Sequence, residues 1–362
     1  YYTMQTKAKE KINIVTLGCA KNLVDSEVLM TQLKGNKKDV FHQREDINPD
    51  IVIINTCGFI DKAKQESIDT ILKHAKEKED GIIKKLYVTG CLSERYKDDL
   101  KTDIPEVDGF YGTRDLPELL KNFEAKYRNE LLGDRIITTD SHYAYLKISE
   151  GCDRPCSFCA IPLMRGRHIS KPIDQIILEA KNLIRNGVRE IMLIAQDSTY
   201  YGIDIYKKRA MSELLKKLSD VEGLDWIRIH YAYPAGFPMD IIEVMRERDN
   251  ICNYLDIPLQ HGSTNMLKVM KRGITREKTD ELIKNIRDIN PEIALRTTLI
   301  AGHPGETERD FQEMYDFVER SQFDRLGIFT YSHEEGTSAH KLEDDVPEQV
   351  KRSRSNLSLI HI

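Results

Sequence analysis

Cysteine is the residue type in this chain with the most chemistry to offer. There are seven, and six fall into two sets of three. One set is compact: the stretch ISEGCDRPCSFCAIPLMRG, residues 148–166, carries Cys152, Cys156 and Cys159 in a Cys-x3-Cys-x2-Cys spacing. The other is dispersed over Cys19, Cys57 and Cys91. Cys252 stands alone in DNICNYLDIP and reads as a packing residue. The odd count argues against full disulfide pairing.

Four cysteines close a [4Fe–4S] cluster completely. Three leave one iron without a protein ligand, and an open position marks a site that binds substrate, as it does at catalytic zinc. The occupant of such a position should offer hard donors in a chelating pair, such as an amino group with a carboxylate. Zinc is the competing metal. Structural zinc usually combines one Cys-x2-Cys knuckle with a second, whereas only Cys156 and Cys159 form a close pair here. A Cys3His site completed by His168 is the zinc alternative, and a non-catalytic zinc scaffold the corresponding function.

The elements that must position these residues alternate strand and helix. KINIVTLGC is an apolar strand running to Cys19, and SEVLMTQLKG a helix with Ser26 as N-cap and Gly35 as stop. DIVIINTCGFI is a second buried strand near Cys57. AKQESIDTILKHAKEKEDG is an amphipathic helix closed by Gly81, and KKLYVTGC a third strand ending at Cys91. This order implies a parallel sheet with right-handed crossovers. All three dispersed cysteines then lie at carboxyl ends of strands, the edge where open α/β sheets bind ligands. Gly18, Gly58 and Gly90 flank them and permit close backbone approach.

LPELLKNFEAKYRNELLGD reads as a helix and RIITTDSH as a linker or edge strand. A second α/β series follows, with six strands in AYLKIS, REIMLIAQ, DWIRIHY, NYLDIPL, ALRTTLIAG and DRLGIFTYS. Six units suggest a partial barrel, since a closed eight-unit barrel needs more chain. The fold class is therefore α/β: an amino-terminal parallel-sheet domain over residues 1–135, a partial (β/α)6 domain over 136–340, and a tail over 341–362 that begins like a helix and loses its pattern. The compact cysteine set follows the first strand of the second series, on the face where β/α barrels hold their active sites.

Polar residues at strand ends over the barrel mouth are candidate cofactor contacts: Gln196, Arg228, Gln260 and Arg296, with either arginine able to pair with a carboxylate in bidentate fashion. Gly302 and Gly305, in TLIAGHPGETERDF, would let backbone approach a bound cofactor. His230, His303 and His333 read as structural, and no general acid–base pair stands out. A basic cluster at Arg165, Arg167, His168 and Lys171 reads either as a solvated loop or as a local patch for nucleic acid.

Composition sets the frame. Of 362 residues, 40% are hydrophobic and 31% charged, a globular balance, and the net charge of −5 shows no basic surface at whole-chain level. No apolar run approaches a membrane span, and YYTMQTKAKE lacks the apolar core of a signal peptide. The chain reads as cytoplasmic, with no membrane partner.

In these motifs the sequence resembles the radical S-adenosylmethionine enzymes, in which the open iron holds the amino and carboxylate groups of S-adenosylmethionine and an electron cleaves it to a 5′-deoxyadenosyl radical. More closely it resembles the methylthiotransferases, over about residues 11–345. That resemblance implies two [4Fe–4S] clusters, one on Cys152, Cys156 and Cys159 and a second, handling sulfur, on Cys19, Cys57 and Cys91. The wording LGCAKNLVDSE, CSFCAIPLMRGR, PLQHGSTNMLKVMKRG and YSHEEGTSA resembles the branch that modifies the β-carbon of an aspartate in ribosomal protein twelve of the small subunit. The alternative is a branch that modifies tRNA adenosines. An acidic chain suits a basic ribosomal protein as substrate. The resemblance further implies an electron donor such as a flavodoxin or ferredoxin, a sulfur donor, and a small carboxyl-terminal β-barrel module that residues 341–362 are too short to form. Anaerobically prepared protein should carry about eight irons per chain. Replacing Cys152, Cys156 and Cys159 together by alanine should abolish reductive cleavage of S-adenosylmethionine, read as 5′-deoxyadenosine by chromatography.

Overall fold

A computed structural model of the chain describes residues 10–131 and 133–358. The first nine residues, Leu132 and the last four lie outside the described residues, and with them the polar start and the patternless end seen in the sequence. The chain forms two compact units. One is built on residues up to Asp140 together with Leu163–Arg165, the other on Ser141–Pro162 and Gly166 onward.

The first unit runs β1 (Lys11–Thr16), α1 (Ala20–Gly35), β2 (Asp39–His42), β3 (Ile51–Thr56), α2 (Asp61–Glu79), β4 (Lys85–Gly90), α3 (Cys91–Asp103), β5 (Gly109–Phe110) and α4 (Leu116–Lys121). Its strands form one all-parallel sheet in the order β2-β1-β3-β4-β5. All six residues of β3 are buried, because helices cover both faces of a parallel sheet. Val52, Ile53 and Ile54 are each fully shielded, which stabilises the strand by roughly 1.5–3 kcal/mol per side chain.

Two expectations are corrected. Ser26 does not cap α1. The helix starts at Ala20 after an extended Cys19, and Ser26 lies inside it, 1% exposed, where its hydroxyl accepts from Thr16 Oγ1 and Asn55 Nδ2. The helix expected over 116–134 ends at Lys121, because Glu124 turns left-handed (φ 53°) and Phe123 and Ala125 fold back into the core. Two strands, β2 and β5, were too short to announce themselves.

The second unit begins with β6 (Tyr143–Lys147), β7 (Ser149–Glu150), the short α5 (Ile161–Arg165), whose last three residues group with the first unit, and β8 (Ile169–Ser170). It continues through α6 (Ile173–Arg185), β9 (Glu190–Ile194), α7 (Ile203–Tyr206), α8 (Met211–Ser219), β10 (Trp226–Ile229), α9 (Asp240–Glu247) and β11 (Ile251–Asp256). The remaining elements are α10 (Thr264–Val269), α11 (Arg276–Ile289), β12 (Ala294–Ala301), α12 (Glu308–Ser321), β13 (Arg325–Thr330) and α13 (Glu348–Ser358). Six strands form an open parallel sheet in the order β13-β12-β11-β10-β9-β6, the partial barrel expected from the sequence. Strict alternation along β12 buries Leu295, Thr297, Leu299 and Ala301 and leaves Arg296, Thr298 and Ile300 on the other, half-open face. The helix α13 packs on β12 and β13.

A buried ion pair fastens the segment after α4 to α1. Arg135 Nε lies 3.0 Å from Glu27 Oε2, both side chains nearly inaccessible, and Glu27 Oε1 accepts from Thr138 N and Oγ1. Removing one partner strands the other charge, so Glu27→Ala should cost about 3–5 kcal/mol, read by denaturant unfolding of the metal-free protein.

Candidate functional site

The first unit brings its three cysteines to the carboxyl edge of one sheet. Cys57 follows β3 directly, Cys91 opens α3 directly after β4, and Cys19 lies just beyond β1. Close packing of the intervening glycines draws them together. Gly18 has φ +88°, and a Cβ there would sit 2.7 Å from Cys57 Cβ and 2.9 Å from its Sγ. A Cβ on Gly58 would meet the backbone of Leu92 at 2.9 Å. Ser67 holds Cys57 from both sides: its Oγ accepts from Cys57 N and donates to Cys57 O.

Two further side chains complete this site: Asn22, unmarked by the sequence, and Arg165, read from the sequence only as part of a basic cluster. Asn22, fully buried, donates to Leu17 O and Thr56 O, locking the ends of two strands, and its Oδ1 faces the Cys91 thiol at 3.8 Å. Arg165 is 1% exposed and grouped with this unit. Its Nε donates to Cys91 Sγ at 3.3 Å, its Nη1 to Asp25 at 2.7 Å and its Nη2 to Asn22 Oδ1. The basic cluster, read as a solvated loop or a nucleic-acid patch, is neither as a whole: Arg165 and His168 are buried, Lys171 half-buried, and only Arg167 is exposed. Burial pushes the Cys91 thiol up to about 12, with Arg165 opposing, and also raises Cys57.

In the second unit β7 pairs antiparallel with β8, Ser149 opposite Ser170, and closes the base of the loop that carries the compact set. Cys152 N donates to Gly166 O just inside the clip. The loop is fixed further along, where Ser157 N donates to Met270 O, Ala339 N donates to Ser157 O, and Ser157 Oγ lies 3.3 Å from His303 Nε2. Burial is again the main effect on the thiols, pushing Cys152 up to about 11 and Cys159 up to about 12. Two arginines and a tyrosine stand beside them. Arg272 Nη1 donates to Cys156 Sγ at 3.1 Å, Arg154 N to Cys152 Sγ at 3.4 Å, and Tyr233 lies between the two guanidiniums.

The six other expected residues are placed less uniformly. Gln196 follows β9, half-buried, next to a buried Asp197 that accepts from Arg154 Nε. Gln260 takes a left-handed conformation (φ 78°) and joins the end of β12 through Thr298 and Ile300. Arg296 donates to the buried Asp256 at 3.0 Å, and Arg228 to Glu190 at 2.8 Å beside Cys252. A Cβ on Gly302 would press on Lys351, whereas Gly305 faces open space and donates to Asp345. Glu306 was not singled out, yet it is a buried hub. It accepts from Gly302 N, from Arg354 and from His261 Nε2, which carries the proton because Nδ1 accepts from Ser263 N. His168 Nε2 lies 3.0 Å from Ser170 Oγ.

Among the described residues no group of three or more His, Cys, Asp or Glu side chains is arranged to hold a single metal ion. A cluster asks for a different spacing: each thiolate binds its own iron, so the sulfurs stand farther apart than ligands sharing one ion. Each donor set fits such a group. It offers three thiols on one rim, with Cys57 and Cys91 buried and Cys19 exposed in the first set and all three half-buried in the second, and a guanidinium donating to one sulfur.

Comparison with known proteins agrees with this geometry. The Radical SAM superfamily model matches residues 146–318, and the Uncharacterized protein family UPF0004 matches residues 11–112. The ribosomal protein uS12 methylthiotransferase RimO of Cytophaga hutchinsonii is 62% identical over 346 residues, 96% of this chain and 79% of that protein. The chain belongs to the RimO family of radical SAM methylthiotransferases. RimO of Flavobacterium psychrophilum is 60% identical over 97% of this chain and 81% of that protein. RimO of Bacteroides thetaiotaomicron is 54% identical over 96% and 80%. Among solved structures, the radical S-adenosylmethionine methyltransferase TsrM from Kitasatospora setae has a TM-score of 0.66 at 15% identity, covering 89% of this chain and 75% of that one. The radical enzyme OxsB has a TM-score of 0.59 at 14% identity, covering 92% and 55%. These two likenesses are of fold.

Gly18→Ala would force a side chain into the Cys57 thiol at a backbone angle L-residues avoid. It should lower iron from about eight to about four per chain in an iron assay, with far-ultraviolet circular dichroism unchanged. Full iron content in that variant would contradict the placement of Cys19 and Cys57 at one cluster.

Proposed function

We propose that this chain transfers a methylthio group to the β-carbon of an aspartate in ribosomal protein uS12, using two [4Fe–4S] clusters and S-adenosylmethionine. The observation that carries this reading is the pairing of two three-cysteine rims, each at the carboxyl edge of its own parallel sheet, in a chain 54–62% identical to proteins named for that activity. In this reading Cys152, Cys156 and Cys159 hold the cluster that reduces S-adenosylmethionine, and Cys19, Cys57 and Cys91 hold the cluster that handles sulfur. When bound, these groups supply the radical chemistry and the methyl and sulfur atoms.

The chain's own residues have positioning work. Cys152, Cys156 and Cys159 would hold the cluster with three thiolates and would leave its fourth position to the amino and carboxylate groups of the cofactor. Gln196, Gln260 and the open side of Gly305 border the carboxyl ends of the strands where that cofactor would lie. Arg296 retains N–H groups beyond the one given to Asp256 and suits a carboxylate. Arg228 is committed to Glu190, so its part in cofactor binding would require exchanging that partner. Glu306 fixes the backbone of Gly302, and with it the turn after β12.

An electron donor of flavodoxin or ferredoxin type and a sulfur donor complete the proposed reaction. No helix among the described residues is long and apolar enough to cross a membrane, and a cytoplasmic enzyme acting on ribosomal protein is the reading adopted. The test is mass spectrometry of uS12 and of bulk tRNA from a strain lacking the gene. Loss of the methylthio group from one uS12 aspartate, restored by the gene and not by its Cys152→Ala form, is the expected result. Loss from tRNA adenosines with uS12 unaffected would transfer the assignment to tRNA.

A further inference from the structure

Arg272 lies 116 positions from Cys156 in sequence and 3.1 Å from its sulfur in the fold. It is 3% exposed, which is rare for arginine unless its charge is met. Its Nη2 donates to Pro258 O at 2.6 Å, its Nη1 donates to Cys156 Sγ, and its buried Nε has no hydrogen-bond partner. No carboxylate is among these partners. The backbone that presents it is sharply specified: Lys271 and Gly273 on either side are left-handed, and Arg272 N donates to Leu267 O. The same turn holds the cysteine loop, through Met270 O and Ser157 N.

Tyr233 completes the arrangement. Its hydroxyl donates to Arg272 O at 2.8 Å, and its ring lies 4.3 Å from the Arg272 guanidinium on one side and 4.1 Å from that of Arg154 on the other. Arg154 is itself oriented by Asp197 at 2.7 Å. A neutral cysteine needs none of this. A buried guanidinium aimed at one sulfur, with an aromatic ring fixing its plane, suits a sulfur that carries negative charge and gains more on reduction.

We infer that Arg272 is a positioning residue that sets the reduction potential of the cluster held by Cys152, Cys156 and Cys159, through its hydrogen bond to the Cys156 sulfur and with its plane fixed by Tyr233. This rests on the proposed assignment of those cysteines. Reduction adds an electron to the cluster, and a charged N–H donor on a ligand sulfur stabilises the added charge. Removing the donor makes reduction harder. Arg154, which reaches Cys152 through its backbone N–H, contributes less through its side chain.

The test is an EPR-monitored redox titration of the full chain with Cys19, Cys57 and Cys91 replaced by alanine, so that one cluster is read. Arg272→Met should make the reduction equilibrium about tenfold less favourable, about 59 mV more negative for one electron, at unchanged iron content. Arg272→Lys, which keeps charge but not the planar fork, should fall between. Arg154→Met should shift it less than Arg272→Met. A potential unchanged in Arg272→Met with four-iron clusters present overturns the inference while leaving the ligand assignment standing. Absence of any cluster in the background protein overturns both. If Arg272→Met does not load iron, pulsed EPR of the background protein carrying Arg154→Met and grown with arginine labelled with 15N in the guanidinium only decides. A weak 15N coupling to the reduced cluster supports the contact, and no coupling overturns it.

Discussion

Gathering three sulfurs that must each become negative on one rim, where burial desolvates two of them, is the constraint from which the rest of this structure follows. Burial raises four of the thiols, two of them to about 12. Like charges gathered in such a place are tolerated only with compensation. Both units answer in the same way. A glycine-lined sheet edge or clipped loop brings the sulfurs together, and one buried arginine donates to one of them: Arg165 to Cys91, Arg272 to Cys156. Neither arginine is left to float. Asp25 and Asn22 hold the first, Pro258 O and the Tyr233 ring the second.

This is also why the two sets look so different in sequence and so alike in chemistry. Dispersed cysteines need the parallel sheet to converge, so their spacing follows the length of a β/α unit. Compact cysteines need only a loop, so their spacing is local and the surrounding barrel supplies the walls. In the second unit those walls come from the turn after α10, from Ala339 and from His303, all distant in sequence.

What the sequence revealed follows the same division. Strands β1, β3 and β4 were legible because fully buried strands read as apolar runs broken by glycine and cysteine. The six strands of the second unit were legible as short apolar or alternating runs between helices, β12 alternating strictly. The strands β2 and β5 were not, since four and two residues carry no usable period. The start of α1 was hidden because Lys21, Asn22 and Glu27 look like surface residues and are buried. The helix drawn over 116–134 was lost because propensity cannot register the pull of Phe123 toward Tyr87, rings 5.4 Å apart. The cysteines announced themselves. Their arginine partners did not, because a hydrogen bond across more than seventy residues leaves no spacing to recognise.

The antiparallel clip of β7 and β8 carries one more consequence. Holding residues 151–168 by their ends removes the closure part of the entropy that an open loop of that length would lose on wrapping around an iron site. The clip does so with backbone hydrogen bonds that need no iron. Many small metal sites spend their binding energy on folding the protein around them. In this chain the loop is shaped beforehand, so the energy of iron–sulfur bonding remains available as affinity.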